Sequence, residues 1–219
     1  MLSKSEEDYL KAIYSLLTKD KHAINTNLIA EKLETKPSSV TDMLKKLSKK
    51  ELVIYKKYKG VFLSEKGQKI ATSIVRKHRL WETFLVEKLN FSWDEVHDVA
   101  EQLEHIKSDK LITNLDTFLG FPKQDPHGDP IPNENGIMRI ENTTLLSDAS
   151  INASYKISGI KNSSTLFLNY LDNLRLKINS EINILKKSEF DSSFLIQINK
   201  NQSLSLSKKV CDNLYVKTI

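Results

Sequence analysis

The chain has 219 residues, 39% of them hydrophobic and 28% charged, with a net charge of +5 and one cysteine, Cys211. This composition supports packed cores and a few small domains, contains no apolar run long enough to cross a membrane, and excludes an intrachain disulfide. The first eight residues lack the apolar stretch of a signal peptide, and with the lone cysteine this points to the cytoplasm.

Charge is unevenly spread. Residues 1–72 carry +6, residues 73–142 carry −5 and residues 143–219 carry +4. A basic end followed by an acidic middle suggests a polyanion bound in one place and a cation in another.

The first element is an amphipathic helix over 4–19, with Tyr9, Leu10, Ile13, Leu16 and Leu17 at helical spacing. Asn25, Thr26 and Asn27 offer caps for a short helix through Leu33. Pro37 then suits the first position of a helix over 37–49. A short helix, a tight connection and a second helix make a helix-turn-helix. Two strand-like runs follow, Leu52 to Tyr55 and Val61 to Leu63, joined by Lys56-Lys57-Tyr58-Lys59-Gly60, the pattern of a basic wing. On the second helix Ser38, Ser39 and Thr41 are short enough to approach base edges, and Lys45, Lys46, Lys49 and Lys50 suit phosphates. Thr26, Pro37 and the wing residues Lys57 and Lys59 complete the expected DNA-contacting set.

Ser64 caps a long helix to about Leu89, and the Ser92-Trp93-Asp94-Glu95 capping box starts another through about Lys107. Ser108 and Asp109 cap a third that ends near Gly120. The prolines and glycines of 120–136 mark a loop. Past residue 150, short runs such as Phe194 to Ile198 and Leu214 to Val216 predict a small β-rich domain.

The strongest chemical signal is His97, Glu101, Glu104 and His105, at i, i+4, i+7 and i+8 on one expected helical face. His78 and Glu82 form another i, i+4 pair on the preceding helix. Clustered imidazoles and carboxylates repel one another unless a cation or protons neutralise them, and a divalent metal does so directly. Asp8, beside the apolar stripe of the first helix, can reach the same ion and tie the DNA-reading unit to the middle of the chain. Two other readings compete: a metal hydrolase using Glu101-x-x-Glu104-His105, and a winged-helix regulator of an organic ligand whose His/carboxylate face is a hydrogen-bonded core. The hydrolase lacks a His-Glu-x-x-His motif and has no use for a basic reading helix.

Five stretches resemble the diphtheria-toxin-repressor family of metal-dependent regulators, which includes the manganese transport regulators. They are Glu7-Asp8-Tyr9-Leu10, Pro37-Ser38-Ser39-Val40-Thr41, residues 76–82, residues 96–105, and His127-Gly128-Asp129-Pro130-Ile131-Pro132. The resemblance implies a mainly α chain with a β-rich C-terminal domain. Residues 1–72 would form the winged helix-turn-helix, 73–142 a helical metal-binding and dimerisation domain, and 143–219 an SH3-like (FeoA-like) β-barrel. It implies a homodimeric repressor of metal-uptake genes that binds double-stranded operator DNA, with Asp8, Glu101, Glu104 and His105 as primary metal ligands and His78 close by. A second metal site would draw on His78, Glu82 and His97, as in iron-type members, or on Glu82 with Asp125 and His127. Iron-type members carry methionine and cysteine where this chain has Asp8 and Glu101, and hard oxygen donors favour Mn²⁺ relative to Fe²⁺. An Fe²⁺-responsive repressor is the alternative within the family. Two further departures stand out: the short manganese regulators carry a glutamate matching Lys11, and no Asp or Glu lies between Asp148 and Asp172 to supply a ligand from the β domain.

Overall fold

The computed structural model describes residues 2–19, 24–56, 60–139, 141–199 and 202–219. The chain divides into two compact units. The first comprises residues 1–81, 100–114 and 132–138, and the second residues 82–99, 115–131 and 139–219.

In the first unit, α1 (Lys4–Lys19), α2 (Thr26–Lys32) and α3 (Pro37–Lys49) precede a hairpin of β1 (Val53–Lys56) and β2 (Gly60–Leu63). Leu10, Ile13, Ile29, Val40, Leu44, Leu47 and Val61 are fully buried in one core. All but Val61 of β2 are apolar positions at helical spacing, so amphipathicity rather than propensity sets the helix packing. Asn25 caps α2 by accepting from Leu28 N, and Pro37 opens α3. Val53 pairs with Leu63 and Lys56 with Gly60, while Ile24 bridges Val61. The wing residues Lys57 and Lys59 lie outside the described residues.

The long helix α4 (Glu65–Leu89) is fixed to the hairpin at its start: Ser64 N donates to Leu52 O and Ser64 Oγ to Glu51 O. Next come α5 (Val96–Leu103) and α6 (Asp109–Phe118). The helix expected to reach about Lys107 ends at Leu103. Ser108 accepts from Leu111 N to start α6, so residues 104–107 must turn the chain. The expected capping box is half formed, with Ser92 N donating to Glu95 Oε2 and no return bond from the Ser92 hydroxyl.

The second unit holds β3 (Thr144–Leu145), β4 (Ser154–Ile160), α7 (Thr165–Asn173), β5 (Glu181–Lys187), β6 (Phe194–Ile198), β7 (Gln202–Leu206), α8 (Lys208–Cys211) and β8 (Leu214–Thr218). The strands form one antiparallel sheet in the order β3-β8-β4-β5-β6-β7. The expected barrel does not close among the described residues, because the edge strands β3 and β7 do not pair. β3 is only two residues long, and register shifts at Ile157/Gly159 and Ile184/Lys186 bend the sheet without joining its edges. Ile157, Ile184, Phe194, Ile196 and Val216 face a buried core. Among the described residues no helix is long and apolar enough to cross a membrane.

Cys211 is fully buried in that core. Burial, with Asp212 adding, pushes its thiol up to about 12. The thiolate is the reactive form, so the native protein should resist a thiol reagent at pH 8 and label only as it unfolds. Rapid stoichiometric labelling of the native chain would contradict this placement.

Candidate metal centre

Among the described residues, one group of candidate ligands lies wholly within each unit. In the first, Asp8 of α1 meets Glu104 and His105 of the turn after α5, with ligand atoms all within 4.8 Å of one another. His105 Nε2 lies 3.0 Å from Asp8 Oδ1 and 3.6 Å from Glu104 Oε1. These three atoms are buried, yet none makes a hydrogen bond. Leaving a buried polar atom without a hydrogen bond costs about 1–3 kcal/mol, so three in one place favour a common partner. Two carboxylate oxygens and an imidazole nitrogen are a donor set suited to a divalent transition metal.

The surroundings orient this set. Glu7 Oε2 lies 2.7 Å from His105 Nδ1. Placing the imidazole proton on Nδ1 toward this carboxylate leaves the Nε2 lone pair for a metal. Local sequence gives Glu7 no site role: its neighbour Asp8 carries the same charge, and only the return of a segment 98 residues later places an imidazole on it. Burial raises the Asp8 carboxyl above its usual value; His105 and Lys4 oppose that shift, and Glu101 and Glu104 add to it. Glu104 keeps a helical bond to Ala100 O, and with His105 in the turn past Leu103 it meets Asp8 of α1. His78 Nδ1 approaches Glu104 Oε2 at 2.7 Å and Glu101 Oε1 at 4.0 Å.

Of the four residues expected on one face, Glu104 and His105 lie in the turn past the end of α5. His97, largely exposed, has its Nδ1 3.3 Å from Glu82 Oε1 in the second unit. There Glu82, Asp125 and His127, all buried, form the other group. His127 Nε2 lies 2.7 Å from Trp93 O, and its Nδ1 is 3.7 Å from Glu82 Oε2. Donating Nε2–H to that carbonyl frees Nδ1 for a ligand. Burial alone would lower the His127 pKa, but Glu82, Asp125 and the Trp93 carbonyl outweigh it and hold the imidazole at about 9. Asp125 Oδ1 accepts from His127 N at 2.8 Å and Asp129 N at 3.0 Å, which fixes the loop. Ile160 N on β4 donates to His127 O at 3.1 Å, and Gln124 Nε2 donates to Ser158 O at 3.4 Å. The β-rich segment thus supports this group through backbone contacts to its loop, a role with no acidic residue behind it.

On α3, Pro37, Ser38, Ser39 and Lys45 are exposed, and Thr41 Oγ1 donates to Pro37 O at 3.0 Å. Lys45 lies 3.2 Å from Asp42. Lys46 and Lys50, expected on phosphates, reach buried Glu6 at 3.2 and 2.6 Å. The Lys50 ammonium holds the Glu6 carboxyl down at about 2, against its burial and with help from Ser3 and Lys46. Lys46 and Lys50 therefore secure α3 to α1 in this state. Thr26, half-buried, begins α2.

Comparison with known proteins meets this geometry. Residues 1–61 match the iron dependent repressor N-terminal DNA binding domain, residues 64–133 its metal binding and dimerisation domain, and residues 144–218 the FeoA domain. An HTH-type transcriptional regulator of Methanocaldococcus jannaschii is 39% identical over 118 residues, covering 54% of this chain and 94% of that protein. The chain belongs to the iron-dependent repressor family. The HTH-type regulator MntR of Bacillus subtilis is 36% identical over 125 residues, 57% of this chain and 87% of that one. A manganese-dependent transcriptional repressor solved with manganese superposes with a TM-score of 0.86 at 31% identity, covering 98% of this chain and 100% of that chain. The manganese regulator SloR gives a TM-score of 0.74 at 35% identity, with 98% of each chain covered. Membership makes the chain a metal-dependent transcriptional repressor, not an enzyme, which sets the hydrolase reading aside.

Proposed function

We propose that the chain represses metal-uptake genes as a cytoplasmic homodimer on double-stranded operator DNA, with Mn²⁺ as the activating ion. In this reading, residues 1–72 read DNA, 73–142 bind metal and dimerise, and 143–219 brace the second metal group. The observation that carries it is the convergence of Asp8 Oδ1, Glu104 Oε1 and His105 Nε2, buried and without hydrogen bonds. A divalent ion there supplies the charge that holds these donors together. Asp8 brings α1 to that point, and Glu104 and His105 bring the end of α5, so ligand binding favours the arrangement with the reading unit held in place. Glu7 orients His105, and Glu82, Asp125 and His127 supply an independent second seat with His97 beside it.

Manganese is favoured by the all-oxygen-and-nitrogen donor set and by the manganese-responsive relatives. Fe²⁺ remains the alternative, since Mn²⁺ binds most weakly of these metals to almost any site. Exposed Ser38, Ser39 and Lys45 support base and phosphate contact by α3. Exposed Leu89, Leu111 and Phe118 in the middle segment support pairing with a second copy. The test is operator affinity titrated against Mn²⁺, Fe²⁺ and Zn²⁺ at fixed salt. Mn²⁺ should raise affinity at least about tenfold over chelator. Equal binding in chelator and in Mn²⁺ would refute the reading.

A further inference from the structure

Lys11 is used by neither metal group. It sits on α1 one turn past Asp8, where a lysine is normally solvated, yet its side chain is only 17% exposed. Its Nζ lies 2.5 Å from Glu101 Oε1, 2.5 Å from Glu104 Oε2 and 3.2 Å from His78 Nδ1. The ammonium thus stands among three atoms of the kind that surround a metal ion. Glu104 faces two ways: Oε2 belongs to Lys11, and Oε1 is the unpartnered oxygen beside Asp8 and His105. One fully buried carboxylate therefore lies between two cation positions, one of them filled by the chain itself.

The geometry points to Lys11 as a tethered cation that takes the place of a second metal ion. The acid cluster then takes one ion, seated by Asp8, Glu104 and His105, and α1 is held to residues 101–104 before any metal arrives. This rests on the reading of those three residues as a metal seat. Two carboxylate oxygens facing one point repel each other unless a positive charge stands between them. Nζ supplies that charge at an effective concentration set by its own helix, independent of the metal supply. The response of this cluster to metal is consequently one ion per chain. Replacing Nζ by a carboxylate removes the resident cation and adds an oxygen donor at the same point.

The full-length wild type, Lys11→Glu, Lys11→Met and Asp8→Ala are compared by equilibrium dialysis against Mn²⁺ with elemental counting, and by thermal melting in chelator. Lys11→Glu should bind one more ion per chain than the wild type, and Asp8→Ala one fewer. Lys11→Met should melt at least about 5 °C lower without metal, because Glu101 and Glu104 lose their counter-charge. Asp8→Ala binding as many ions as the wild type would sink the metal seat itself. If Asp8→Ala loses its ion but Lys11→Glu gains none, or if Lys11→Met melts like the wild type, the assignment of Lys11 is overturned while the seat stands.

Discussion

Asp8→Ala should reduce metal-activated operator binding to its level in chelator, at a Mn²⁺ concentration that saturates the wild type. Asp8 is the only candidate ligand of its group carried by α1; the other two come from the turn after α5. Its loss should weaken Mn²⁺ binding there by at least about 100-fold, since even groups that only orient ligands are worth 10–100-fold. That corresponds to about 2.7 kcal/mol. The metal-free protein should not suffer, because the deleted Oδ1 is a buried oxygen without a hydrogen bond. Calorimetry should therefore find the metal-free melt unchanged or slightly raised and the Mn²⁺-induced increase lost. A large drop in the metal-free melt would mean that Asp8 serves the fold and not an ion.

Gly128→Ala should damage the second unit far more than Gly120→Ala, although both glycines have positive φ, +86° and +74°. At Gly128 an added Cβ would lie 2.2 Å from Ser158 O and 2.5 Å from Gly159 Cα, backbone atoms of β4 that cannot rotate away. At Gly120 it would meet nothing within 4 Å. The conformational cost is about 1–2 kcal/mol at either site. At position 128 the loop must also leave β4, breaking the bond from Ile160 N to His127 O, for a total of at least about 3 kcal/mol. A fall of about 10 °C in melting temperature is expected for Gly128→Ala, against a few degrees for Gly120→Ala. The Gly128 variant should also lose the ion bound by Glu82, Asp125 and His127, whose loop is displaced. Equal effects at the two glycines would show that loop and strand are not held together as described.

What was legible in the sequence follows the range of the interactions. The bounds of α1 and α3 come from local patterns: apolar spacing around Leu10 and Ile13, and Pro37 as a helix opener. Asp8, Glu104 and His105 were legible because charge and imidazole at those positions have no use on a plain solvated face. The end of α5 was not, since Glu104 still makes a helical bond to Ala100 O and the periodicity runs on through His105. Glu7 and Lys11 read locally as ordinary charges on a helix; their side-chain hydrogen-bond partners lie 67 to 98 residues away, and only the fold brings them close. Asp125 and His127 sat in a loop without periodicity, so the family resemblance and not their spacing drew attention to them. The support from β4 passes through the Ile160 amide, which every residue but proline possesses, so no side chain announces it.

The shared ion at α1 is tested most directly by anomalous diffraction from crystals grown with Mn²⁺. The account predicts a manganese peak contacted by Asp8 Oδ1, Glu104 Oε1 and His105 Nε2, with Lys11 Nζ still on Glu101. A map with manganese only at Glu82, Asp125 and His127, and with the Asp8 carboxylate turned to solvent, would contradict it.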